Sequence, residues 1–224
     1  MIRKIRYAAL LFLIISFTLV SCKNTETKDA TINIEVHEQQ TSNGNVIQIP
    51  EFISNNEEIQ KNLKDLEKET KELKKIVDKA LKKGDNLEMR SYVGDNDNYP
   101  QVTVVWYVEE EGTRLYNLMT LGADIREGLP ITCKEALLKT QMTGVDLCLE
   151  VGTLFNESGE KGQLQSTEMQ GFEIGEDGKV REIYMKLTLE IEKGEEKIRE
   201  EHFFSYIPEK KELVALAEKG FAVP

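Results

Sequence analysis

An apolar run from Ala8 to Val20, interrupted only by Ser16 and Thr18, stands behind the cations Arg3, Lys4 and Arg6. A run of that length with that flank matches a secretory h-region and is short for a membrane span. It ends at Leu19-Val20-Ser21-Cys22, and the polar stretch Lys23 to Thr31 that follows has no periodicity. Ile32, Ile34 and Val36 then alternate with polar residues, as a half-buried strand does. After the turn-rich Thr41 to Asn45, Val46 to Ile49 is predicted to return antiparallel, with Pro50 ending the pairing. Between Ser54 and Lys83 the period changes to threes and fours through Ile59, Leu63, Leu66, Leu73, Ile76, Val77, Ala80 and Leu81. Ser54-x-x-Glu57 has capping-box spacing and Gly84 is a stop, so the pattern predicts one long helix. Its narrow stripe suits packing on the protein's own sheet, and a seam with a partner helix is the alternative.

Period two returns in Leu87 to Val93, Val102 to Val108 and Leu115 to Leu121, with Glu109 to Gly112 as a hairpin loop. Thr132-x-x-Glu135 has capping-box spacing and opens a short helix through Leu138. Val145, Leu147, Leu149 and Val151 alternate as a strand would, although their surroundings also permit a second helix. Asp177-Gly178 is a strong two-residue turn joining Gln170–Ile174 to Val180–Ile191, and a further turn at 192–197 leads into Ile198 to Tyr206. The predicted fold is α+β, a mainly antiparallel sheet packed by one long helix and a second short helix.

Charge narrows the partners. The formal net charge is −11, and removal of Arg3, Lys4 and Arg6 with the leader takes it to −14. Such a chain repels nucleic-acid phosphate and favours cationic partners or plain solubility. No glycine-rich phosphate cradle, G-x-S-x-G elbow or H-E-x-x-H helix occurs, and His37 and His202 sit among ordinary strand residues. Asp95 to Asn98 has Tyr99 and Pro100 where a calcium loop needs a ligand and a glycine, and so reads as an Asx-rich turn. No metal site and no cofactor are expected. Neighbouring strand aromatics face opposite ways, and Trp106, Tyr107, Arg114 and Tyr116 are the candidate ligand-binding residues. Cys133 and Cys148 could close one disulfide. If 145–151 is a strand with its apolar members in the core, Cys148 shares the opposite face with Asp146 and Glu150, and two separate thiols are favoured.

Two resemblances add to this reading. Leu19-Val20-Ser21-Cys22 resembles the lipobox of bacterial lipoproteins, which implies that residues 1–21 are removed and that Cys22 carries a diacylglycerol. The organisation is then 1–21 lipoprotein signal peptide, 22–31 lipidated cysteine and flexible tether, and 32–224 a single α+β extracytoplasmic domain anchored to the cell membrane. Asp124-x-x-x-Gly128-x-x-Ile131-Thr132-x-x-Glu135-Ala136-Leu137-Leu138 and Phe172-x-Ile174-x-x-Asp177-Gly178-Lys179-Val180-x-x-Ile183-Tyr184 resemble stretches of the RsiV-like domain. That domain occurs in lysozyme-sensing anti-sigma factors and at the front of PdaC-type peptidoglycan deacetylases. Where the family often carries Gly-Gly-Ala-His, this chain has Glu111-Gly112-Thr113-Arg114. The resemblance implies a non-enzymatic, sensor-like binding domain whose ligand is a cell-wall component or a cationic envelope protein. The alternatives are an envelope hydrolase using two unmarked carboxylates, about 5 to 10 Å apart, and an assembly subunit using the 54–83 helix.

Overall fold

The computed structural model describes residues 30–223 apart from Ser42, Glu111 and Glu195. The expected signal peptide, the expected lipidation at Cys22 and the expected tether as far as residue 29 lie outside the described residues. Among those described, no helix is long and apolar enough to cross a membrane.

The first half of the chain builds a six-stranded sheet in the order β1-β2-β3-β4-β5-β6. Its strands are β1 (Ile32–Gln40), β2 (Val46–Ser54), β3 (Asn86–Val93), β4 (Gln101–Glu110), β5 (Thr113–Asp124) and β6 (Leu129–Ile131). Every pairing is antiparallel except β2 with β3, between which α1 (Glu57–Asn62) and α2 (Lys64–Lys83) carry the chain across. The second half begins with α3 (Cys133–Lys139) and α4 (Gly144–Ser158). An antiparallel meander follows: β7 (Gln163–Ile174), β8 (Val180–Lys193), β9 (Glu196–Ile207) and β10 (Glu212–Ala215), ordered β10-β9-β8-β7. A 3-10 turn, Leu216–Lys219, leads into the C-terminal segment.

Side-chain alternation sorts these elements into four layers. Val102, Val104 and Trp106 of β4 point with Leu87 and Met89 toward Leu66, Leu73 and Val77 of α2. Val105 and Leu118 point the other way and meet Tyr184 and Phe203 of the second sheet. On the far side of that sheet, Ile183, Met185 and Leu187 pack against Leu147, Val151 and Phe155 of α4. Two-sided coverage explains why Gln101 to Tyr107 of β4 are all buried.

The α+β class holds, and the single predicted sheet is corrected to two. Three local expectations also change. The predicted 54–83 helix is broken at Leu63, whose ψ of 7° leaves helical geometry, so α1 and α2 are separate. The cap is Asn56, whose Oδ1 accepts from the N–H groups of Glu58 and Ile59, and Ser54 instead donates to the Thr31 carbonyl. Pro50 does not end β2 but pairs with Val36 in its middle. Its carbonyl accepts from the Thr70 hydroxyl of α2, so the missing N–H falls on the side facing the helix, where no ladder bond is due. Residues 145–151 are helix: Leu147, Val151 and Phe155 form a buried stripe at a spacing of four, and Val145 and Leu149 are exposed. Thr143 and Asp146 supply a capping box that fixes its start.

Candidate functional site

Trp106 and Tyr107 are adjacent on β4 and face opposite layers, so the four sequence candidates divide into two places. Tyr107, Arg114 and Tyr116 form one cluster. The Tyr107 and Tyr116 rings lie 5.3 Å apart, and the Arg114 guanidinium sits 4.6 Å above the Tyr107 ring. The Tyr107 hydroxyl donates to Glu88 at 3.2 Å, and burial, with Glu88 second, raises its pKa above the usual phenol value. Glu88 is also paired with Arg90 at 2.5 Å, and Arg114 reaches Glu109 at 3.5 Å. The cluster's charges are thus met from within, and it braces the β3–β4–β5 face at one mouth of the gap between the sheets.

Trp106 lies elsewhere, on the floor of a groove of about 340 Å³ between α2, β5, the β6–α3 corner and β7. Leu66, Met119, Leu121, Ile131 and Met169 complete an apolar lining, and Asp65, Glu69 and Glu168 stand among it. The Trp106 side chain is 8% exposed, so a ligand would touch only its edge. Asp65 and Glu69 project from α2 one turn apart and have no ion pair among the described residues; Glu168 shares Lys186 with Glu201. β6 covers the outer edge of β5 only from Gly122 to Asp124, and from Thr113 to Leu121 no strand among the described residues pairs with that edge. The groove therefore combines an apolar floor, three carboxylates and a run of unpaired strand edge. Trp106 was identifiable from its strand pattern, whereas nothing in the sequence singled out Asp65 and Glu69.

Cys133 and Cys148 are free thiols on different helices. Cys133 is partly buried in the groove wall, where burial pushes its thiol up to about 11, and Cys148 is exposed on α4. His37 pairs with Glu51 and His202 with Glu200. Asn96 of the Asx-rich loop is buried, accepting from the N–H groups of Asn98 and Tyr99 and donating to the Ile174 carbonyl. The motif that begins at Asp124 serves a turn: its carboxylate caps the N–H groups of Arg126 and Glu127. Gly128, at φ 64°, has no Cβ to meet Ile59.

The chain matches no protein-family model and significantly matches no curated protein and no solved structure.

Proposed function

We propose that this chain is a bacterial lipoprotein, anchored by acylated Cys22, whose extracytoplasmic α+β domain binds a cationic, partly apolar segment of an envelope protein. The observation that carries this reading is the Trp106 groove, where an apolar floor adjoins three carboxylates, two of them without an ion-pair partner among the described residues. An apolar side chain of the ligand would enter between Leu66 and Met169, and its lysines or arginines would face Asp65, Glu69 and Glu168. The open edge of β5 offers main-chain groups to a segment in extended form, the mode of strand addition. Uncompensated carboxylates favour a basic protein over a neutral glycan, and the net charge of the mature chain steers such a partner from a distance. The resemblance to RsiV-like domains points the same way.

Trp106 is the only tryptophan, so its emission reports on the groove directly. A peptide rich in Lys and Leu, added at low salt to the chain starting at Lys23, should change that emission saturably, with affinity falling as salt rises. Asp65→Asn with Glu69→Gln should weaken binding about tenfold, which is the scale of two partly exposed charge contacts. Unchanged emission at low salt overturns the groove as the binding site. For the anchor, Cys22→Ala should release the protein from the membrane fraction. Its retention there after a high-salt wash counts against lipidation.

A further inference from the structure

Opposite in character to the Trp106 groove is a cleft of about 320 Å³ between the two sheets, and its wall is aromatic. Tyr92 of β3, Tyr184 of β8 and Phe221 of the C-terminal segment line it together. The Phe221 ring centroid lies 4.8 Å from that of Tyr92 and 5.3 Å from that of Tyr184, so the three rings form a continuous surface. The Ala222 N–H donates to the Tyr92 hydroxyl at 3.1 Å and holds Phe221 in place.

Three carboxylates line the same cleft, those of Asp95, Glu173 and Glu176. The nearby cations are engaged elsewhere. Lys219 is bonded to Glu182, which also accepts from the Ser205 hydroxyl at 2.7 Å, and Arg181 pairs with Asp177 at 3.2 Å. Glu173 accepts only from the Tyr184 hydroxyl, at 3.3 Å, and none of the three carboxylates has an ion pair among the described residues. Burial, reinforced by Glu182, holds the Glu173 carboxyl above its ordinary pKa, against the opposing pull of the Tyr184 hydrogen bond, Lys219 and Arg181. No group of three or more His, Cys, Asp or Glu residues among those described is arranged to hold a metal ion.

We infer that this cleft binds an organic ammonium cation, a quaternary or alkylated amine whose methyl groups rest on the Tyr92, Tyr184 and Phe221 rings while its charge faces Glu173. Aromatic faces attract a cation through their quadrupole, and they suit a large, weakly hydrated one better than a metal ion that must shed its water. The carboxylates reject a neutral apolar ligand that the rings alone would accept. The cleft volume lies at the lower end of small-molecule sites, the size for a head group and not for a polymer. The site is separate from the Trp106 groove, and this inference stands whether or not that groove binds a partner.

The test titrates the chain from Lys23 onward with choline and with its neutral isostere 3,3-dimethyl-1-butanol, followed by calorimetry. Choline should bind saturably, and the isostere about tenfold more weakly or not at all. Glu173→Gln and Phe221→Leu should each weaken choline about tenfold with the thermal transition still cooperative, since the first is isosteric and the second keeps apolar packing. Trp106 emission should not respond. Equal binding of choline and the isostere overturns the proposal, as does failure of choline to bind at millimolar concentration. Sedimentation with phosphatidylcholine vesicles assigns the cation to a lipid head group. Binding of choline in solution without sedimentation assigns it to a free amine.

Discussion

Gly171 of β7 crosses Thr120 of β5 so closely that a Cβ at position 171 would collide with the Thr120 hydroxyl. That hydroxyl is shared with Thr103 at 2.9 Å and accepts from the Phe172 N–H at 3.3 Å, which fixes the two sheets against one another. Gly171→Ala should therefore destabilise the domain by about 1 to 3 kcal/mol, the cost of inserting a methyl into a packed interface. Urea unfolding measures it. A loss below about 0.5 kcal/mol would mean that the sheets separate readily at this crossing.

On the helical side, Leu73 is 1% exposed and Leu81, two turns on, is 45% exposed. Leu73→Ala should cost about 2 to 5 kcal/mol, as a truncated core leucine does, and Leu81→Ala should cost less than about 0.5 kcal/mol. Comparable losses at both sites would show that α2 packs in a different rotation.

Glu173 gives the stability of the domain a pH dependence of a definite sign. Its folded-state pKa is raised, first by burial and then by Glu182, while the Tyr184 hydrogen bond, Lys219 and Arg181 oppose the shift. A carboxyl raised on folding holds more protons in the native state than in the unfolded one. Its contribution is present below the unfolded value of about 4.3 and is lost as pH rises through the folded value. Glu173→Gln should consequently be more stable than the parent at pH 7 and lose that advantage below about pH 4. Urea midpoints at the two pH values provide the measurement, and a larger advantage at the lower pH would contradict the assignment.

The thiols should differ in reactivity. Cys133 is partly buried with its pKa pushed up to about 11, and Cys148 is exposed. The thiolate is the reacting form, so iodoacetamide at pH 8 should label Cys148 first, by peptide mapping, and Cys133 only slowly. Labelling of both at one rate would place Cys133 in open solvent.

What could be read in advance was whatever residues close in sequence decide. Asp177-Gly178 makes its turn through Gly178 at φ 77°, and Thr132 with Glu135 caps α3. Both signals are complete within four residues. The second sheet was hidden because alternation along a strand shows that a face is buried without showing what buries it. The stretch from Val102 to Val108, apolar except for Thr103, carried the hint that β4 is covered on both sides. In α4, Val145 and Leu149 imitated a strand's alternation beside Leu147 and Val151, and Phe155 was the residue that favoured a period of four. The aromatic cleft was beyond reach, since Tyr92, Glu173 and Phe221 meet only after both sheets have formed.

The sequential division of the two sheets bears on how the chain matures. Residues up to Ile131 complete the first sheet with its own helices, and everything facing it comes later in the chain. A chain emerging N-terminus first across a membrane would hold Val105 and Leu118 bare until β8 and β9 arrive to cover them. Leu216 and Val223, buried in that same layer, emerge after both, so the interval of exposure lasts at least until residue 223 has emerged. Loss of residues 216–223 would leave every described strand present and the seam between the sheets open to water and to neighbouring chains.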